Sequence, residues 1–451
     1  MFLEKIKSPG LAHLSYIIGA DGQAAVIDPR RDIDIYEEIA AANNARIRCI
    51  FETHRNEDLI SGAGLLAERC GATVFHGPNA AGEVRYAETA GDGKTVQLGD
   101  LRLQVMETPG HTDDSISIVA YDDASGKDAV AVFSGDALFI GDVGRTDFYP
   151  DRAEEVAGLL YDSLQRILAL GDQAILLPAH GAGSVCGSGM ADREFSTLGH
   201  ERQNNPRLQI TDRDDFIKAK LAEHHYQPPY FRLMEALNLS GASAMHPQPA
   251  ALGIEDIKGF TDQVIRVDVR SAEAYASAHL PGSLCIPEDM IAAFAGWLLD
   301  AEQPLLLIAE NADQAWRAAR HLGRIGYDQI EGYLAGIMDW VTAGEPFGSV
   351  EFVNTASIEQ RLNKQPVDWQ LLDVRGLEEV EAQRIAEAAH IYVGELPAKL
   401  SQLDSNKTYT VMCGSGQRAA IAASVLERGG FRNVDVYLGS MAAWQQQKDV
   451  A

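Results

Sequence analysis

YTVMCGSGQRAAIAASVLERGGF (409–431) reads as a β-rich run, a glycine-bearing loop that opens on a cysteine, and an alanine-rich helical pattern closing on Gly-Gly. A strand passed through a tight loop into a helix is the building unit of a parallel α/β sheet. Backbone N–H groups of such a loop and the helix N-terminus both put positive potential at Cys413, which favours its thiolate. Arg418 is expected to close the loop with its guanidinium. The stretch has a counterpart in LLLIAENADQAWRAARHLGRIGY (305–327). Two further blocks repeat alongside it: RVDVRSAEAY (266–275) with LLDVRGLEEV (371–380), and YLAGIMDW (333–340) with YLGSMAAW (437–444). The offset stays between 103 and 105 residues across all three blocks, so the chain holds two copies of one α/β unit. In the first copy Glu310 is read at the place of Cys413 and Ala315 at that of Arg418. That copy is expected to be catalytically inert, and Cys285 to belong to its core.

Outward from the repeat, three domains are expected. SGASAMHPQPAALG (240–253) has the small, polar, proline-bearing composition of a linker. It sets residues 1–245 apart from the two copies, 250–348 and 355–451. A chain of 451 residues exceeds one core, and 46% hydrophobic with 23% charged residues is ordinary globular composition. The net charge of −27 argues against a nucleic-acid surface, which needs clustered Lys and Arg. No apolar stretch approaches the ~20 residues that span a bilayer, and MFLEKIKSPG lacks the apolar run of a secretory signal. Five scattered cysteines (49, 70, 186, 285 and 413) read as free thiols in a reducing compartment, with the cytoplasm as the default.

Residues 1–240 alternate β-rich runs such as AAVIDP (24–29) and RIRCIFETH (46–54) with helical patterns at 34–44 and 151–170. The runs end in loops that carry His or Asp, where α/β folds place their chemistry. In order these loops are THRNEDL (53–59), TPGHTDDS (108–115), SGDALF (134–139) and PAHGAGS (178–184). That order resembles the metallo-β-lactamase family, which implies an αββα sandwich with metal ligands on loops along one edge. The family's hydrolases carry His-x-His-x-Asp-His and two zinc ions. Here the motif is His54-Arg55-Asn56-Glu57-Asp58-Leu59. Leucine cannot coordinate, so a two-zinc hydrolase is disfavoured. What remains, His54, His111 and Asp136, is the two-histidine, one-carboxylate set of non-haem Fe(II) oxygenases. Together with FIGDVGRTDF (139–148) and GHERQNNPRL (199–208), it is similar to persulfide dioxygenases, which implies one Fe(II) per chain.

The remaining roles follow from the resemblance. Asp58 is expected to orient His54. His180 is expected to support a ligand or face substrate, with direct metal binding as the alternative. Arg145 and Asp147 are expected to pair, with Arg145 otherwise an anchor for a substrate carboxylate. Cys186 is read as a buried thiol, the alternative being a sulfur acceptor. The Cys413–Arg418 loop, DVR (373–375) and YLGSMAAW resemble rhodanese sulfurtransferases, whose cysteine carries a persulfide. The implied reactants are a low-molecular-weight persulfide (glutathione persulfide or a similar carrier), O₂, sulfite and thiosulfate. No nucleic-acid or membrane partner is expected, and homo-oligomers are common for such folds. Two other functions are weighed: a zinc thioesterase of the glyoxalase II kind with regulatory rhodanese modules, and a non-enzymatic sulfur sensor.

Overall fold

In a computed structural model, strands buried on both faces build two face-to-face sheets in the N-terminal half, each with helices on its outer side. All residues are described except 185, 186, 188, 246, 247 and 451, and the side chains of 448–450. The chain divides into two compact units, Met1–Met245 with Arg324–Gly326, and His246–Gly323 with Tyr327–Ala451.

In the first unit one sheet runs β1 (Phe2–Ser8), β2 (His13–Ala20), β3 (Gln23–Ile27), β4 (Arg46–Phe51), β5 (Thr73–His76) and β6 (Glu88–Thr89). The other, β7 (Thr95–Leu98), β8 (Leu101–Glu107), β9 (Ile116–Asp122), β10 (Ala129–Gly135) and β11 (Ile175–Pro178), is ordered β11-β10-β9-β8-β7. Tyr16, Phe51 and Phe75 from one sheet meet Leu103, Ile118 and Phe133 from the other in a shared core. Helices α1 (Asp34–Ala42) and α2 (Ala63–Cys70) bury Tyr36, Ala40 and Leu66 on the outer face of the first sheet. Helix α3 (Ala153–Leu168) buries Leu160, Leu164 and Ile167 on that of the second. This is the expected αββα sandwich.

Short helices α4 (Leu198–Asn204), α5 (Arg213–Leu221) and α6 (Phe231–Ser240) complete the unit. Helix α6 is absent from the sequence reading, because Pro228–Pro229 just before it read as loop. It is held by burial of Phe231 and Met234 and by Asn238, whose side chain bonds the main chain at Asn56, Leu59 and Ser61.

The second unit repeats itself. The first copy holds α7 (Ile254–Lys258), β12 (Ile265–Asp268), α8 (Ala272–Ser277), β13 (Leu284–Cys285), α9 (Ile291–Leu298), β14 (Leu305–Ala309), α10 (Ala312–Arg324), β15 (Ile330–Ala335) and α11 (Met338–Thr342). The second holds β16 (Glu351–Val353), α12 (Thr355–Lys364), β17 (Trp369–Asp373), α13 (Leu377–Ala382), β18 (Ala389–His390), α14 (Leu396–Lys399), β19 (Thr408–Met412), α15 (Gln417–Arg428), β20 (Val434–Tyr437) and α16 (Ser440–Val450). Their sheets, β13-β12-β14-β15 and β16-β20-β19-β17-β18, are all parallel.

Register between the copies corrects the sequence reading by one residue. Val269 N–H bonds Ile308 O as Val374 N–H bonds Met412 O, and Asp268 pairs with Ile308 as Asp373 pairs with Met412. Ala309 therefore stands at the place of Cys413, not Glu310. The fully buried Ala315 matches Ala419, which puts Gln314 opposite Arg418. The first copy lacks a cysteine at this place in either register.

Candidate metal centre and cysteine loop

Three chain segments leave the sandwich at the same edge. Past β4, Thr53 and His54 sit beside Asp28, the residue that follows β3. Asp28 accepts from Thr53 N–H (2.7 Å) and from its hydroxyl (2.8 Å), so the hydroxyl oxygen is left to accept from His54 Nδ1–H at 2.9 Å. Past β8, His111 Nδ1 donates to the carbonyl of Arg145 at 3.0 Å. A carbonyl can only accept, so Nδ1 keeps its proton and Nε2 is the nitrogen left to bind a metal. Past β10 comes Asp136. All three residues are buried, and one ligand atom from each lies within 4.8 Å of the others.

The site tests well as a cation site. His54 Nε2 is buried without a hydrogen bond, and His111 Nε2 meets only the Glu57 carboxylate, so both nitrogens face a dry pocket lined by acids. They face carboxylates: Asp136 Oδ2 at 3.8 and 3.6 Å, and Glu57 at 3.9 and 3.1 Å. The same electrostatics appear in proton affinities. Burial opposes charging His111, but Glu57 outweighs it and pushes the group up to about 9. Burial likewise opposes ionising Asp136, yet His180 and His54 hold its carboxyl well below the usual range. The pocket thus demands positive charge, and the donor set suits a divalent metal.

Beside it, His180 reaches Asp136 through Nδ1 (2.8 Å) and Asp58 through Nε2 (3.0 Å). An imidazole lies between the two carboxylates that a second metal would need, and Leu59, 1% exposed, offers no donor. Arg145 is 1% exposed and forked on Asp147 at 2.6 and 2.6 Å, as the pairing alternative requires. The pair fixes the main chain whose carbonyl orients His111. Asp58 touches His180 rather than His54. Cys186 lies outside the described residues. A cavity of about 400 Å³ is lined by His13, His180, Lys5, Lys7 and Arg193 among others, but not by His54, His111 or Asp136. It therefore borders the centre only at His180.

The sequence reading missed Asp28, Thr53 and Glu57. Glu57 stood in plain view within THRNEDL. Asp28 could be found only through contact between β3 and β4.

In the second unit Cys413 is buried between β19 and α15. Gly416 N–H points at its sulfur (3.1 Å), and Gly416 has φ of +115°, a conformation that favours glycine. The Ser440 hydroxyl accepts from Cys413 N–H. Arg418 does not reach the sulfur by a hydrogen bond among the described residues. It forks onto Glu379 at 2.6 and 2.8 Å.

Comparisons with known proteins agree with both halves. The metallo-beta-lactamase superfamily matches residues 8–180, and the rhodanese-like domain matches 256–343 and 354–447. The chain is 28% identical to bovine (Bos taurus) persulfide dioxygenase ETHE1, mitochondrial, over 230 residues, 49% of this chain and 80% of that protein. It is 34% identical over 96 residues to the putative sulfurtransferase YtwF of Bacillus subtilis, 21% of this chain and 91% of that one. The crystal structure of a metallo-beta-lactamase from Staphylococcus aureus superposes with a TM-score of 0.68 at 29% identity, covering 74% of this chain and 98% of that one. The chain spans 61% of the length of a curated beta-lactamase hydrolase-like protein of Agrobacterium fabrum that it also matches.

Proposed function

Because this chain belongs to the metallo-beta-lactamase superfamily by its N-terminal domain and to the rhodanese family by its two C-terminal domains, we propose that it is a sulfur-metabolism enzyme with two centres. The first oxidises a low-molecular-weight persulfide to sulfite, and the second moves sulfane sulfur at Cys413. The observation that carries the reading is the closeness of two buried imidazoles and one buried carboxylate, whose ligand atoms lie within 4.8 Å of one another. His54, His111 and Asp136 would hold one Fe(II), whose chemistry when bound is redox access to O₂ that zinc lacks. The likeness to relatives named persulfide dioxygenase favours iron.

The chain's own residues prepare that centre. Asp28 through Thr53, and the Arg145 carbonyl, hold the imidazole protons on Nδ1 so that both Nε2 atoms face inward. His180 hydrogen-bonds Asp136 through Nδ1 and stands 3.0 Å from Asp58, so it holds the Asp136 carboxylate in place beside the two imidazoles. The overall change balances as R–S–SH, O₂ and water giving R–SH, sulfite and two protons. At the cysteine loop, Cys413–S–S⁻ and sulfite give Cys413–S⁻ and thiosulfate, or the reverse.

The test is O₂ uptake against a panel of persulfides, with metal content measured on the same anaerobically purified sample. About one iron per chain with persulfide-dependent uptake supports the reading. Stoichiometric zinc with thioester cleavage and no uptake replaces it with the hydrolase.

A further inference from the structure

We propose that Glu379 sets which sulfur donor loads Cys413, by screening Arg418 so that the loop disfavours the thiosulfate dianion relative to a persulfide. The inference rests on the sulfurtransferase reading of Cys413 and extends it to donor charge.

The carboxylate is built into place. Its two oxygens take both outer nitrogens of Arg418 in a fork, the strongest geometry open to that pair. One of them also accepts from Gly376 N–H at 3.0 Å, so the N-terminal turn of α13 holds the acid whether or not Arg418 is there. Burial would raise the Glu379 carboxyl, but Arg418 holds it below its ordinary value, so it stays charged. The cation nearest the cysteine loop is therefore already paired.

The inert copy supplies an internal control. Both copies keep an ion pair at the end of corresponding strands, β12 and β17: Arg270 on Asp268 at 2.9 and 2.6 Å, and Arg375 on Asp373 at 3.0 and 2.7 Å. The copy that lost its cysteine also lost the arginine, to Gln314, and the acid, to Ala274. In that copy the Ser271 hydroxyl caps the helix start in place of the acid, so the carboxylate is present only in the copy that has the cysteine and the arginine.

Loading is a transfer of sulfane sulfur with no net oxidation. Cys413–S⁻ and S–SO₃²⁻ give Cys413–S–S⁻ and sulfite; with a persulfide, Cys413–S⁻ and R–S–S⁻ give Cys413–S–S⁻ and R–S⁻. Only the first donor brings two charges to Arg418, so Glu379 bears on it more heavily.

The experiment measures the rate of Cys413 persulfide formation by mass, at varied donor concentration, on the full chain. The donors are thiosulfate and the persulfide of 2-mercaptoethanol. In Glu379→Gln the ratio of thiosulfate to persulfide loading constants should rise about fivefold, and Glu379→Asp should restore the wild-type ratio. A ratio that stays within about twofold, or falls, overturns the proposal and leaves the pair structural. Independently of any variant, wild-type loading from thiosulfate should change less than about twofold across a tenfold rise in salt, and a steep fall would also overturn it. If wild type loads from neither donor, the sulfurtransferase reading itself is lost.

Discussion

At the residue scale the centre depends on side chains that never touch metal or substrate. Asp28 is buried and held at φ of +49°, a conformation rare outside glycine, so the fold spends strain to aim it at Thr53. Asp28→Asn should weaken metal retention about 10–100-fold, read by chelator competition, and an unchanged affinity would remove the relay. Asp147 offers a test by pH. Burial works against its charge, but Arg145 holds its carboxyl down at about 2. A depressed acid stabilises the fold above its unfolded value of 3.8 and loses that contribution as pH falls towards about 2. Asp147→Asn should therefore cost about 1–2 kcal/mol in urea unfolding at pH 7, with the gap from wild type closing below pH ~4. A pH-independent gap would assign the cost to packing instead. Cys49 and Cys285 are pushed up by burial, Cys49 to about 12, and neither should react with alkylating reagents while the chain is folded.

Elements bring these residues together by close approach. Gly110 precedes His111 with φ of +138°, and a Cβ there would stand 2.4 Å from Leu160 N in α3. The loop that carries His111 lies directly against that helix because nothing projects between them. Gly110→Ala should destabilise by about 2–4 kcal/mol through strain and overpacking, seen as a lower melting temperature, and should lose metal as His111 moves. A variant with wild-type melting and metal content would show the contact to be slack. The same scale explains the one-residue misreading of the repeat. ENADQ and CGSGQ align by eye around their loops, whereas strand register and the buried face of the following helix place Ala309 opposite Cys413.

Across the whole molecule the two proposed chemistries sit in separate compact units and should be separable. His54→Ala should abolish persulfide-dependent O₂ uptake while thiosulfate:cyanide transfer persists, and Cys413→Ser should do the reverse. Loss of both activities in either variant would end the division of labour. Removing the metal with a chelator should lower only the unfolding transition of the first unit, since a ligand stabilises the fold that binds it. Among the described residues no helix is long and apolar enough to cross a membrane.

By itself the sequence determined the αββα sandwich, the duplicated α/β unit, the His54, His111 and Asp136 positions and the cysteine loop. The repeat and the residues at strand ends are local signals, while the sandwich and the ligand set were legible through the resemblance those residues bear to a known family. Tertiary structure alone decided the partners: Asp28 behind His54, Glu57 and Asp136 facing the same nitrogens, His180 between two carboxylates, and Arg418 drawn onto Glu379. Each of those pairings joins residues from different loops or helices, apart from Glu57, which shares the loop of His54. Such distances are set by how sheets and helices pack, and no spacing along a chain encodes them.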